Sequence, residues 1–166
     1  MKYTGYDKTA TAKMAGTEKF VDLCSRRWGF KNLGTLVVRQ MRSGQGMSVH
    51  ATARGMDLGF SDTKEGRAAA VQAMLWFVKY YKELGIEEVH DYGGLINGTW
   101  QGWRCNRNGK PGWKKWTDQD NGGSKNGRWI HVELAPQSNG GHAEDGVALE
   151  AAWRALPKPS ELPAIV

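Results

Sequence analysis

The chain has 166 residues, of which 40% are hydrophobic, and it carries a formal net charge of +6. This length and composition predict one folded domain with its own hydrophobic core and argue against a wholly disordered chain. No apolar run reaches the length of a transmembrane helix, and the N-terminus lacks the apolar segment of a secretory signal. We therefore expect a protein that is synthesised in the cytoplasm and does not insert into a membrane.

Helices and strands are predicted in an order without regular βαβ alternation. The periodicity and turn signals indicate, in chain order, a helix over residues 16–30, strands over 34–41 and 56–60, a helix over 64–85, a strand over 86–92, a strand over 128–134 and a helix over 143–156. This order predicts an α+β fold with helices packed on a small, mainly antiparallel sheet. We expect a loosely ordered N-terminus over residues 1–14, a single domain over residues 15–156, and a proline-spaced tail or linker over residues 157–166.

The residues that flank the two longer helices predict where those helices begin and end. Thr17 is a candidate N-cap of the first helix, and Asp62 or Thr63 is a candidate N-cap of the second. Gly85 supplies a C-terminal stop for the second helix. The aromatic residues of that helix are expected to serve packing: Trp76, Phe77, Tyr80 and Tyr81.

Between the last two strands lies a long excursion over residues 93–127, rich in glycine and tryptophan, with a hairpin expected around residues 106–112. Its tract "WQGWRCNRNGKPGWKKW" interleaves aromatic and cationic residues. Three interpretations remain open: a stacking surface for single-stranded nucleic acid, a wall that stacks on sugar rings, or a hairpin whose tryptophans close the core. No nucleic-acid recognition motif accompanies the tract, so nucleic acid is not the favoured partner.

Four residues with reactive side chains are interpreted as structural. Cys24 and Cys105 lie far apart in sequence and form no metal-binding pair, so both are expected to be reduced thiols. His90 and His142 have no partner at the spacing of metal ligands. They are interpreted as surface or core histidines.

Two other histidines and a carboxylate form a candidate metal site. His50 and Asp57 lie seven residues apart, a spacing that alone indicates only a hydrogen-bonded pair. The strand "RWIHVEL" adds a third partner, because alternation places His131 and Glu133 on the face opposite to three apolar residues. Two imidazoles and one carboxylate, with an open fourth position, are a common ligand set for Zn²⁺.

The same residues resemble the signature of a known family. The stretch "SVHATARGMDLGF" is similar to the Ser-x-His, six residues, Asp motif of zinc peptidases that include D-Ala-D-Ala carboxypeptidases and phage L-alanyl-D-glutamate endopeptidases. The stretch "WIHVEL" is similar to the closing strand of that family. The extensin-like C-terminal domains and the hedgehog signalling domain share the scaffold. The resemblance covers roughly residues 15–135 and implies a hedgehog/D-Ala-D-Ala-peptidase-like fold.

The resemblance also implies roles for individual residues. His50, Asp57 and His131 would be the ligands of a catalytic Zn²⁺. Arg39 would bind a substrate carboxylate or stabilise the oxyanion, which suits a guanidinium group. Ser48 would orient the site.

The general base is where the sequence departs from the family. The family usually places an acidic residue three positions before the last histidine, and here that position is Arg128, which cannot accept a proton. Glu133 shares a face with His131, and Asp120 lies with Asp118 on the glycine-rich excursion. Glu133 and Asp120 are the two candidate bases, and the sequence does not decide between them.

The expected function is hydrolysis of peptidoglycan stem peptides by a zinc-dependent peptidase, such as a bacteriophage lysin acting at the cell wall. The net charge of +6 suits an anionic wall. One alternative is a non-catalytic binding module or phage structural protein on the same scaffold. The other is a nucleic-acid-binding protein or metal nuclease. A monomer is the favoured state.

Overall fold

The computed structural model of the chain describes residues 1–41, 46–117 and 126–159. Within these ranges four α-helices pack on a six-stranded antiparallel sheet, which confirms the predicted α+β class. Two short 3₁₀ turns, Val49–Thr52 and Gln137–Asn139, connect these elements. The helices and strands are α1 (Ala15–Trp28), β1 (Lys31–Gly34), β2 (Gly55–Gly59), α2 (Lys64–Lys79), α3 (Tyr81–Leu84), β3 (Ile86–Asp91), β4 (Gln101–Arg107), β5 (Lys110–Lys115), β6 (Trp129–Leu134) and α4 (Gly146–Ala155).

The strand order of the sheet is β1-β2-β6-β3-β4-β5, and each neighbouring pair is antiparallel. β4 and β5 form the predicted hairpin, with Asn108 and Gly109 at its turn in the left-handed region, at φ 55° and 89°. β6, the last strand in sequence, lies between β2 and β3. This insertion makes neighbours of three strands that are distant along the chain.

The two faces of the sheet differ in chemistry. On β6 the apolar residues Ile130, Val132 and Leu134 are at most 1% exposed, and they belong to a core that also contains the buried aromatics of α1, α2 and α4. This arrangement confirms the alternation predicted for the strand. Cys24 and Cys105 are free and buried within the same core. The opposite face carries the polar side chains of the candidate site.

α1 begins at Ala15, so the prediction of Thr17 as its N-cap is wrong. The backbone N–H groups of Gly16 and Thr17 donate to the carbonyl of Ala143, at 2.9 and 3.1 Å, and this contact replaces a side-chain cap. A Cβ atom on Gly16 would lie 1.7 Å from the carbonyl oxygen of His142. Glycine is therefore required where α1 meets the loop before α4.

The second predicted helix is divided in two by Tyr80. Thr63 caps α2 by accepting a hydrogen bond from the backbone N–H three residues later, as one of the two predicted caps. The backbone then leaves the helical region at Tyr80, at φ −110° and ψ 29°, so one continuous helix to residue 85 is not formed. Tyr80 packs on Trp76 and Tyr81 packs on Trp103, at centroid distances of 5.5 and 4.9 Å. The break lets two consecutive aromatic side chains pack in different directions.

None of the helices in the described ranges is long and apolar enough to cross a membrane.

The strand predicted over residues 34–41 is wrong, because the strand lies immediately before it, over residues 31–34. Gly34 has φ 146°, a backbone conformation available to glycine, and the paired register shifts there. The N–H of Val37 then donates to the carbonyl of His50 rather than to a strand. Val37 and Val38 are 40% and 60% exposed, so this β-branched run is not buried against the core.

Residues 1–14 have no regular secondary structure before α1, and two of them, Tyr3 and Gly5, contact polar side chains of the sheet and of the turn before β2. The hydroxyl of Tyr3 donates to Glu133, and the guanidinium of Arg54 donates to the carbonyl of Gly5. This segment therefore contributes part of the wall around the candidate site.

Candidate metal centre

One row of paired residues crosses the sheet at the site. Asp57 on β2 pairs with His131 on β6, and His131 pairs with His90 on β3. The row continues to Gly102 on β4 and to Lys114 on β5. Directly paired residues of neighbouring strands point to the same face, so the side chains of this row lie side by side.

His50 reaches the row from the 3₁₀ turn Val49–Thr52 that precedes β2. Ser48 caps this turn, because its hydroxyl accepts a hydrogen bond from the N–H of His50 at 3.4 Å. Gly55 allows the turn to approach the strand, since a Cβ atom there would lie 3.1 Å from the backbone nitrogen of His50. The turn residues are buried, and His50 is 3% exposed.

His50, Asp57 and His131 each offer one ligand atom, and these three atoms lie within 4.8 Å of one another. Oδ1 of Asp57 is 3.3 Å from Nε2 of His50 and 2.9 Å from Nδ1 of His131. Ligands at about 2.0 Å from a tetrahedral Zn²⁺ are separated by about 3.3 Å. The donor types and their spacing therefore fit a metal ion, and the three predicted ligands are brought together.

The protonation of the triad follows from burial and hydrogen bonding. Burial opposes ionisation of Asp57, but the hydrogen bonds from His131 and His50 outweigh it and hold the carboxyl pKa well below its usual value. Burial lowers the pKa of His50 more than its hydrogen bond to Asp57 raises it. Burial also disfavours charge on His131, yet its bonds to Asp57 and Glu133 dominate and raise its pKa to about 10. Without a metal, His131 is thus an imidazolium between two carboxylates.

Glu133 holds the second nitrogen of His131. Nε2 of His131 lies 3.0 Å from Oε1 of Glu133, on the edge of the ring away from Asp57. The hydroxyl of Tyr3 donates to Oε2 of Glu133 at 3.1 Å. Burial and the nearby Glu133 charge raise the pKa of Tyr3, so the phenol keeps the proton that it donates. A carboxylate in this place orients a ligating histidine, and this geometry favours that role for Glu133 over the role of general base.

A second hydrogen-bonded group lies beside the triad. Glu88 is 3% exposed and accepts from Arg104 at 2.8 Å and from Nε2 of His90 at 3.1 Å. Burial opposes ionisation of Glu88, but the charges of His90 and Arg104 outweigh it and lower the pKa to about 2. Nδ1 of His90 lies 3.0 Å from the hydroxyl of Tyr92. The His90 ring is thereby held 4.9 Å from the ring of His131.

The triad opens into a cavity of about 350 Å³. Its walls come from the N-terminal segment, the loop before β2, and five strands with their flanking residues. The lining residues are Tyr3, Arg39, Met41, Ser48, Val49, His50, Asp57, Glu88, His90, Tyr92, Arg104, Arg107, Lys114, Trp116, Trp129, His131 and Glu133.

The remaining residues predicted for the site lie in different places. Arg39 lines the cavity, and its exposed guanidinium makes a weak bond, at 3.4 Å, to the carbonyl of the next residue. Arg128, at the position of the usual base, lies outside the cavity and pairs with Asp62 at 2.9 Å. Asp118 and Asp120 lie outside the described residues.

His90, interpreted from the sequence as a surface or core histidine, instead lines the cavity. Alternation along β3 places Glu88, His90 and Tyr92 on one face, the same signal that indicated His131. The sequence could therefore have identified the face, but not its register beside β6. No sequence signal indicated Tyr3, which reaches the site from a segment without a repeating pattern.

The tryptophans of the β4–β5 hairpin divide between the core and the cavity. Trp103 is 2% exposed within the core, and Trp113 packs against that core. These two residues support the interpretation in which the hairpin closes the core. Trp116 lines the cavity and packs edge-to-face on His90, at a centroid distance of 4.7 Å.

No family model, curated protein or solved structure matches this chain. What the site can do is accordingly argued from its own residues. It offers a three-ligand metal position, an oriented histidine, and an open cavity with cationic and aromatic walls.

Proposed function

We propose that this chain is a zinc-dependent peptidase on a hedgehog/D-Ala-D-Ala-peptidase-like scaffold, and that it hydrolyses peptide bonds of peptidoglycan stem peptides. The observation that carries the proposal is the convergence of His50, Asp57 and His131 at the wall of a cavity. The motif resemblance specifies the substrate class.

The three ligand side chains would hold the metal, with Glu133 fixing the orientation of His131. A bound Zn²⁺ would supply Lewis acidity and a water whose pKa is lowered to about 7. Arg39, at the cavity wall, would bind a substrate carboxylate or the developing oxyanion. The burial of His50 and His131 would limit the access of bulk water to the reacting groups.

The proton acceptor would be a carboxylate that is not already bonded within the site. Glu133 is held by His131 and Tyr3, and Glu88 by Arg104 and His90. Asp120 therefore stays the candidate base from the sequence.

The engagement of the carboxylates in the cavity also favours a second function. The carboxylates that line the described cavity, Asp57, Glu88 and Glu133, are all engaged with other side chains. A metal-binding module that recognises wall peptides without cleaving them would need no further acid.

Cleavage of synthetic stem peptides, followed by mass spectrometry, separates the two functions. The peptidase proposal predicts cleavage by zinc-loaded protein, loss on chelation, and recovery when zinc is restored. Arg39→Lys should keep the fold and the metal but lower kcat/KM by on the order of tenfold, because an ammonium cannot form the two-pronged contact. Arg26→Lys, on the exposed side of α1, should cleave like the wild type. Binding without cleavage would replace the peptidase by the binding module.

A further inference from the structure

Tyr3 reaches the candidate site from the N-terminal segment and donates to the carboxylate behind the metal position. Its hydroxyl lies 3.1 Å from Oε2 of Glu133, and Oε1 of the same carboxylate lies 3.0 Å from Nε2 of His131. The other ring nitrogen of His131 faces Asp57 at 2.9 Å. Tyr3 is therefore the outer member of a hydrogen-bonded chain that leads, through Glu133, to a metal ligand.

The ring of Tyr3 and the backbone beside it are both held in place. The guanidinium of Arg104 covers the ring, with its carbon 3.8 Å from the ring centroid. Arg104 is itself fixed by bonds to Glu88 at between 2.8 and 3.1 Å. Gly5 turns the chain at φ 61°, and its carbonyl accepts from the buried Arg54. The hydroxyl of Tyr3 thus has a defined position.

Glu133 is stabilised by a second donor because a like charge lies beside it. It pairs directly with Glu88 across β6 and β3, and the two residues are 4% and 3% exposed. Like charges directly opposite one another repel, and burial strengthens the repulsion. Arg104 compensates Glu88, and His131 bonds to one oxygen of Glu133. The phenol of Tyr3 bonds to the other oxygen without adding charge to the site.

We propose that Tyr3 is a positioning residue of the metal centre, which fixes Glu133 and, through it, the ring of His131 for binding Zn²⁺. The inference rests on the metal site of the proposed function and is independent of peptide cleavage. Partners behind a ligating histidine contribute to metal affinity. The N-terminal segment, which carries none of the three ligands, would then contribute to holding the metal.

The zinc affinity of the full chain tests the proposal. Competition with a chelator gives Kd for the wild type, Tyr3→Phe and Tyr6→Phe. Tyr6→Phe is the matched control, because it removes the same atom from the same segment. Tyr6 is 40% exposed, its hydroxyl lies 2.8 Å from that of Thr9, and it does not line the cavity. Urea denaturation of the metal-free proteins, followed by circular dichroism, checks the fold.

Tyr3→Phe should remain folded and bind zinc about 3- to 10-fold more weakly than the wild type. This is the range of one net hydrogen bond, and it is smaller than the loss expected for a direct partner of the ligand. Tyr6→Phe should bind like the wild type. Wild-type affinity in Tyr3→Phe would overturn the inference, and so would its unfolding, which would assign the hydroxyl to the fold.

A double-mutant cycle separates positioning from a general effect on the protein. Glu133→Met removes the acceptor at similar side-chain length. In that background Tyr3→Phe should change the zinc affinity by less than about twofold, because the hydroxyl has no carboxylate left to position. An undiminished loss would overturn the inference.

The same measurements separate this inference from the proposed function. A wild-type chain that binds no zinc would overturn both. Zinc binding that depends on His50 but is unchanged in Tyr3→Phe removes the role of Tyr3 alone and leaves the metal site intact.

Discussion

His131 is the residue on which the geometry of the site depends. One ring nitrogen faces Asp57 at 2.9 Å and the other faces Glu133 at 3.0 Å. An imidazole ring held at both nitrogens has a fixed orientation, so Nδ1 already faces the metal position and needs only to lose its proton. His50 differs, because its Nδ1 is buried and has no hydrogen-bond partner among the described residues. Its position follows instead from the buried 3₁₀ turn.

Glu133→Gln tests whether this carboxylate orients the ligand or takes a proton. If it orients His131, the change should weaken zinc affinity by about 10- to 100-fold while the saturated enzyme keeps most of its turnover. A general base would show the reverse, with affinity kept and a rate loss on the order of 10²–10⁴-fold. Competition with a zinc chelator measures the affinity, and Glu83→Gln, on the exposed side of α3, serves as the control.

At the scale of elements, Arg54 ties the N-terminal segment to the sheet. Its guanidinium is 1% exposed and pairs with the fully buried Glu87 at 3.4 Å and with Asp7 at 3.3 Å. Burial raises the pKa of Glu87, and hydrogen bonds from Thr4 and the charge of Arg54 oppose that rise. This network places Tyr3, and so the contact to Glu133, at the wall of the cavity.

Arg54→Met should reduce the free energy of unfolding by about 3–5 kcal/mol, because it leaves a buried carboxylate without its cation. Urea denaturation measures the loss. Arg26→Met removes an exposed pair on α1 with Asp22 and should change stability by less than about 0.5 kcal/mol. A similar small effect at Arg54 would show that the N-terminal segment is not held by this network.

The sequence predicted the elements that carry the ligands better than the arrangement of those elements. Alternation located β6 and its polar face, and motif spacing located His50 and Asp57. The insertion of β6 between β2 and β3 was not predictable, because strand order depends on pairing between distant segments. That insertion is what brings His90 beside His131, and for this reason His90 was missed.

Local signals also failed where packing decides the backbone. The valines after Gly34 have strand-forming side chains, yet no strand within the described residues pairs with them. Thr17 is a good capping residue, but the carbonyl of Ala143 satisfies the start of α1. In both places a tertiary contact outweighs the local preference.

At the scale of the whole molecule, folding brings the metal ligands together in a state in which His131 holds a proton. His131 has a pKa of about 10 without metal, whereas Asp57 is ionised and the pKa of His50 is lowered. The protonated His131 stabilises the metal-free fold fully below the unfolded pKa of about 6.5, and this contribution is lost as the pH rises through about 10. A metal bound at Nδ1 must displace that proton.

Zinc binding near pH 7.5 should therefore release about one proton per metal ion, and the affinity should rise about tenfold per pH unit over the neutral range. Calorimetry in buffers of different ionisation enthalpy measures the release. Binding without proton release, or an affinity that does not change with pH, would contradict the protonation of His131.

The central claim is that His50, Asp57 and His131 hold a metal, and metal content tests it most directly. After dialysis against zinc, the wild-type chain and the control His142→Ala should each contain about one zinc per chain, and His50→Ala should contain almost none. Elemental analysis on folded samples, checked by circular dichroism, gives the ratio. A wild-type chain without metal, or a His50→Ala variant with full occupancy, would contradict the account.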